Sequence, residues 1–194
     1  MLNLQIINAS TRSGRSGHLV SEWFFEFARR YGNFDIQLID LAEVGLPLFD
    51  EPRHPRLGQY EHAHTKAWSA IVEQADAYVF VTPEYDHAPP ASLINALQYL
   101  VHEWAYKPVG FVSYGGVSGG TRSVQMTKPI VTALKMMPIP EAVVIPFFTQ
   151  YIDSDTGTFD PGEVQEKAAG VMLDELLRWA QALRPLRTEV RTNV

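Results

Sequence analysis

The 194-residue chain contains no cysteine, which excludes disulfides, thiolate metal ligands and cysteine nucleophiles together. It also lacks an excess of positive charge. Its 22 acidic residues outnumber 16 basic ones, a formal net charge of −6, which argues against sequence-independent nucleic-acid binding. No apolar run approaches the roughly 20 residues needed to span a bilayer, and the N-terminus reaches a charged loop before a signal-peptide core could form. A cytoplasmic protein with no membrane partner is therefore expected. Low-complexity tracts and repeats of solenoid period are missing as well. With 46% hydrophobic and 20% charged residues, the composition is that of a globular domain. A single domain is expected over residues 1–185, followed by a C-terminal tail at 186–194.

What is present is an alternation of two apolar patterns. Runs of strand length recur at about 3–8, 35–40, 77–82, 109–114 and 143–148. Between and after them lie segments of helical period at about 17–31, 58–74, 91–103, 120–135 and 162–184. Continuous apolar strands alternating with helices predict a parallel sheet covered on both faces, a three-layer α/β domain. Ligands of such sheets bind beyond the carboxyl ends of the strands, where the strand order reverses. Function should thus gather in the loops after strands one, three and four. The proline-bearing segment 41–57 reads as a long irregular surface loop, of a length that often covers a site or a partner surface.

The first of those loops is Asn8-Ala-Ser-Thr-Arg-Ser-Gly-Arg-Ser-Gly17. Strand, polar loop and helix in this order bring backbone N–H groups toward the positive end of a helix dipole, where a phosphate is favoured. Arg12 and Arg15 add charge-assisted donors, and Ser10, Thr11, Ser13 and Ser16 add hydroxyls. The loop has no lysine, so it is not a P-loop, and only Gly14 and Gly17 are present of the glycines a dinucleotide fingerprint requires.

After the third strand, Thr82-Pro-Glu-Tyr-Asp-His-Ala-Pro-Pro90 places Glu84 and Tyr85 where an acid and a flat ring can flank a planar ligand; His87 with Glu84 is a possible acid/base pair. After the fourth, Ser113-Tyr-Gly-Gly-Val-Ser-Gly-Gly120 has four glycines in six residues, which lets main-chain N–H groups approach a ligand closely. Gly116-Val-Ser118-Gly-Gly120 also matches the nucleophile elbow of serine hydrolases. A hydrolase is opposed by order, because all six histidines precede Ser118. His62 and His64 are too few, and wrongly spaced, for a metal site.

Taken together, the three loops resemble the NADPH-dependent FMN reductase family of flavodoxin-like folds, which includes quinone and azo-dye reductases. The match rests on Ala9-Ser-Thr-Arg-Ser-Gly-Arg15 against G-S-x-R-x-G-x, on Pro83-Glu-Tyr-Asp86 with Pro90 and Leu93-Ile-Asn95-Ala against P-E-Y-N-x-x-x-P-G-x-L-K-N-A, and on Ser113-Tyr-Gly115-Gly-Val-Ser-Gly119-Gly120 against S-x-G-x-x-G-G. The resemblance implies a five-stranded sheet of order 2-1-3-4-5. It implies that Ser10, Arg12 and the Arg15-Ser16-Gly17 turn hold an FMN phosphate. Pro83, Glu84, Tyr85 and Asp86 would line the isoalloxazine, and Ser113, Gly115, Gly116 and Gly119 would approach its ring or carbonyls. FMN then carries the chemistry with NADPH or NADH as donor, and no side chain need act as acid or base.

Four positions depart from the family pattern. Ala9 replaces the first glycine, which is tolerated if that backbone angle is ordinary. Asp86 stands where asparagine is usual; an ionised carboxylate cannot donate to a flavin oxygen, and its charge would oppose a negatively charged reduced ring. Ala91 replaces glycine and Ile94 replaces lysine. The resemblance further implies a homodimer or homotetramer, for whose surface Trp68, Tyr99, Trp104 and segment 41–57 are candidates, with core packing the other role open to the three aromatics. The acceptor stays open among quinones, azo compounds, free flavin and metal oxyanions. An electron carrier or FMN-binding regulatory module without nicotinamide turnover is the alternative.

Overall fold

A computed structural model of the chain describes residues 1–191, with side chains through Arg187. Five parallel strands, β1 (Leu2–Asn8), β2 (Phe34–Asp40), β3 (Ala77–Pro83), β4 (Pro108–Tyr114) and β5 (Met137–Ile145), form one sheet in the order β2-β1-β3-β4-β5. The helices are α1 (Gly17–Tyr31), the one-turn α2 (Leu41–Val44), α3 (Ala63–Glu73), α4 (Ala91–Gln98), α5 (Thr121–Ala133) and α6 (Glu163–Arg191). Short 3₁₀ turns occupy Pro55–Leu57 and Phe148–Tyr151.

Side chains of successive strand residues point to opposite faces, and here both faces are buried. Tyr78 and Phe80 of β3 enter one core with Trp68 of α3 and Leu93 and Leu97 of α4. Val79 and Val81 enter the other, with Val20 and Phe24 of α1 and Met172, Leu173 and Leu176 of α6. This two-sided burial is what makes the strands read as continuous apolar runs. Register pairs Asn8 with Val81, Thr82 with Ser113, and Tyr114 with Ile145, so the carboxyl ends of four strands lie side by side.

Trp68 and Trp104 are 1% exposed and Tyr99 is fully buried, which places them in the core rather than on a partner surface. Trp104 meets Tyr78 at 5.0 Å and Trp68 at 6.0 Å between ring centroids, edge to face in both cases. Truncating such a ring to alanine costs about 3–5 kcal/mol.

Several boundaries differ from the sequence expectation. Strand β5 ends at Ile145 and begins at Met137, not near 143, because Pro138 and Pro140 break the apolar pattern. Proline is tolerated there because β5 is an edge strand, and its pairing with β4 slips between Val109 and Phe111. Helix α4 stops at Gln98; Tyr99, Leu100 and Trp104 continue the apolar spacing from a buried turn segment. Helix α6 runs past 185, through Pro185 to Arg191, and Arg187 pairs with Asp76 at 2.8 Å, so the stretch expected as a tail is helical that far. Residues 192–194 of that expected tail lie outside the described residues.

Lys107 caps the carboxyl end of α3: its Nζ donates to the carbonyls of Val72 (3.1 Å) and Glu73 (3.2 Å) and to the Tyr78 hydroxyl (3.2 Å). Burial pulls its pKa down to about 8, partly offset by the charge of Glu73. A lysine depressed in the folded state adds stability as pH rises from that value toward its ordinary 10.5, because the unfolded chain still binds the proton. The unfolding free energy of the parent relative to Lys107→Met should therefore increase, on the order of 1–2 kcal/mol, between pH 8 and pH 10 in urea titrations.

Candidate functional site

The first loop leaves β1 at Asn8 and enters α1 at Gly17. Its start is fixed by Ala9 N–H donating to the Val81 carbonyl at 2.9 Å, and its tip by Arg15 N–H donating to the Arg12 carbonyl at 3.1 Å. Ser10 is buried, and its hydroxyl is 2.7 Å from that of Tyr85, so the first loop is tied to the one after β3. Arg15 donates to Asp40 at 2.6 Å. Asp40 is itself anchored, accepting from Asn8 Nδ2 at 3.2 Å and capping α2 through Ala42 N–H at 2.9 Å. The buried Nε of Arg15 has no partner, and Ser16, at the N-cap of α1, makes no side-chain capping bond. Arg12 is exposed and makes no ion pair among the described residues. A methyl group on Gly17 would strike the Tyr114 hydroxyl and lie 2.9 Å from Asn8 Oδ1, so glycine is required where the helix starts.

Glu84 joins the second loop to the third. Its carboxylate accepts from Ser118 Oγ (2.9 Å), from the Arg122 backbone N–H (3.0 Å) and from the Arg122 guanidinium (2.9 Å). It also supplies the cap that Gly120, at the N-cap of α5, has no side chain to provide. Burial raises the Glu84 pKa, but the donors on Arg122 and Ser118 outweigh it and hold the group below its ordinary value. Gly120 itself has φ +83, and a Cβ there would lie 2.9 Å from the Tyr114 backbone N and O.

Beyond Tyr85 the chain makes a two-residue turn, closed by reciprocal 2.9 Å bonds between Tyr85 and Ala88. Asp86 (φ 49) and His87 (φ 68) occupy its left-handed positions, and both are exposed. Asparagine, aspartate and glycine suit such a turn, which accounts for Asp86 without reference to a ligand.

The loops enclose an open cavity of about 330 Å³ at the carboxyl edge of the sheet. Of the residues singled out from sequence, Arg12, Arg15, Ser16, Pro83, Glu84, Tyr85, Gly115 and Gly116 line it. Asp86 is not on its wall and sits at the turn tip. Ser10, Gly17, Ser113 and Gly119 lie off the wall too: Ser10 and Gly17 shape the first loop, Ser113 is buried opposite Thr82, and Gly119 packs against Val144. The wall also contains Tyr114, Phe147, Phe148 and Thr149, which sequence reasoning missed. The available signal for the last three was their position just past a strand, obscured by the misplaced end of β5. His87 stays at the turn tip, and Ser118 is bonded to Glu84 rather than to an imidazole, which removes the hydrolase reading. Among the described residues, no group of histidine, aspartate and glutamate could hold a metal ion.

A model of the NADPH-dependent FMN reductase family matches residues 2–150. The chain belongs to this family. A reductase of Schizosaccharomyces pombe named as NAD(P)H-dependent FMN reductase is 42% identical over 137 residues, 70% of this chain and 68% of that protein. A probable NADPH:quinone oxidoreductase of Oryza sativa is 33% identical over 142 residues, 70% of this chain and 71% of that one. The fold is shared with FerB of Paracoccus denitrificans, an NAD(P)H:acceptor oxidoreductase, with a TM-score of 0.72 at 19% identity over 94% of this chain and 98% of that one. Family membership makes the protein an oxidoreductase with FMN as cofactor and NAD(P)H as electron donor. The cavity fits that cofactor. An unpartnered buried Arg15 Nε, the Ser16 hydroxyl and Arg12 suit a phosphate, and Gly116, with open space where a Cβ would be, admits a flat ring.

The Glu84 bridge yields a test. Glu84→Ala should lower stability by about 1–3 kcal/mol, with the Arg122 share reduced by solvent, and weaken FMN binding in fluorescence titration. Because the folded pKa is depressed, the contribution is complete above the ordinary 4.5 and is lost as pH falls through the folded value. In Glu84→Gln that part of the acid loss should be absent from melting curves.

Proposed function

We propose that the protein is an FMN-dependent NAD(P)H oxidoreductase that passes two electrons to a small acceptor such as a quinone, an azo compound or free flavin. The observation that carries this reading is the junction of Arg12, Ser16 and the unpartnered Nε of Arg15 with a glycine-lined cavity open to solvent. FMN supplies the two-electron chemistry: a hydride leaves the nicotinamide, and the acceptor gains two electrons and two protons, one of them from solvent.

The residues of the chain do the holding. Arg12, Arg15 and Ser16, with the first-turn N–H groups of α1, bind the phosphate. Ser10 and Gly17 set the loop's path, and Tyr85 and Pro83 form one side of the ring site. Gly115 and Gly116 bring main chain close to the ring, while Ser113 and Gly119 hold that loop against the sheet. The open mouth and the family favour turnover with NAD(P)H over a carrier or regulatory role. A cytoplasmic location, where the nicotinamide donor is supplied, is part of the proposal.

A homo-oligomer is proposed as well, with a second copy over segment 46–57. Leu48 is 82% exposed, and Leu57 and Phe49 are exposed beside it. The segment is rigidly held: Phe49 N–H donates to Asn95 Oδ1 at 2.9 Å, Asn95 Nδ2 donates to the Pro47 carbonyl at 2.7 Å, and the Tyr99 hydroxyl donates to Asp50 at 3.1 Å. Leu48→Asp should shift the parent's sedimentation coefficient to that of the monomer; an unshifted value would remove this face from the assembly.

The cofactor assignment is tested by titrating the apoprotein with FMN and riboflavin. Charge-assisted contacts to phosphate are worth about 1.5–3 kcal/mol each, tenfold or more in affinity. FMN should bind far more tightly than riboflavin, and Arg12→Ala should weaken FMN with little effect on riboflavin. Equal affinities would defeat the assignment. Absence of anaerobic bleaching of the loaded protein by either nicotinamide would instead favour the carrier.

A further inference from the structure

Phe147 lies two residues past β5 with φ 48 and ψ 41, in the left-handed region that a bulky aromatic residue rarely adopts. Two backbone bonds hold it there, from Phe147 N–H to the Gly116 carbonyl (3.0 Å) and from Phe148 N–H to the Gly115 carbonyl (3.3 Å). The two rings then part. Phe148 turns inward and packs edge-on against Tyr114, centroids 5.0 Å apart. Phe147 remains 48% exposed on the cavity wall and stacks on no aromatic ring among the described residues.

Folding alone gives no reason for phenylalanine at this position. Glycine or asparagine would relieve the backbone, and the ring fills no core. Beside it, Val117 is exposed at the tip of the glycine loop, and Val144 is exposed next to Gly119. The wall around Phe147 is aromatic, with Phe148 and Tyr114 beside it, whereas Arg12 and Arg15 make another part of the wall basic. A dinucleotide needs cations for its phosphates, and among the described residues the lining has none besides Arg12 and Arg15, both given to the FMN phosphate. A flat uncharged ring gains contact area and an aromatic partner.

We propose that Phe147 selects the acceptor, its ring forming the stacking wall for a planar, uncharged aromatic molecule of the quinone class at the cavity mouth. This rests on the reading that FMN occupies the glycine-lined part of the same cavity. The backbone strain at Phe147 fixes the ring's direction, so the wall exists before the acceptor arrives.

The test uses parent, Phe147→Tyr, Phe147→Leu and Phe147→Asn, the last suited to the left-handed backbone should leucine impair folding. FMN uptake is measured first. Each loaded, oxidised protein is then titrated with 1,4-naphthoquinone without donor, following the visible flavin band. Leucine and asparagine should raise the naphthoquinone Kd about three- to tenfold, while tyrosine stays within about twofold of the parent. In turnover, the ratio of kcat/KM for naphthoquinone to that for ferricyanide should fall by a similar factor in the leucine and asparagine variants and be kept by tyrosine. An unchanged Kd in both ringless variants overturns the proposal. So does an equal weakening of FMN itself, which would make the ring a cofactor contact. A parent that takes up no FMN overturns the functional reading and this proposal with it, whereas normal FMN uptake with unaltered quinone affinity overturns this proposal alone.

Discussion

Glu84 sits at the carboxyl edge of the sheet with its side chain 8% exposed, and the water it has lost is replaced by three donors from the loop and helix that follow the neighbouring strand. A buried carboxylate left without donors is costly, so the β3 loop and the start of α5 are bound to adopt compatible positions. The glycine loop between them inherits its shape from that requirement. Its own sequence could not impose one, since glycines widen rather than narrow the backbone's choices. A rigid acid therefore disciplines a permissive loop, and the shape of the cavity wall depends on the pairing.

Charge at the edge follows a related logic. Arg15 and Arg122 lie near the cavity, and each is matched to a carboxylate, Asp40 and Glu84. Arg12 has no such match among the described residues. In a chain of net charge −6, the basic part of the cavity wall is thus built by local arrangement and not by overall potential. Pairing holds both the partly buried Arg15 and the exposed Arg122 in place.

Strands β1 to β4 and helix α1 were legible because apolar runs and a helical stripe coincide there with real burial on both sides of the sheet. The loops were legible because polar or glycine-rich residues follow those strands. What failed did so for definable reasons. Pro138 and Pro140 disguised β5, and with it the aromatic wall that begins at Phe147. Trp68, Tyr99 and Trp104 gave no sign in sequence of whether they face a core or a partner, since both demand large apolar rings. Asp86 stands out in sequence as a departure from a motif, whereas its left-handed backbone, which aspartate tolerates, is visible only in the fold. The Glu84 network spans 38 residues of chain and has no local signature.

The two prolines of β5 have an effect away from the cavity. Neither carries an N–H, and the pairing with β4 slips between Pro138 and Ala142, across Pro140, so the outer rim of the sheet there is short of donors and uneven. A strand from another chain would find few places to add itself in register. The β5 rim is thereby guarded against edge-to-edge pairing of sheets, the route by which exposed strands aggregate.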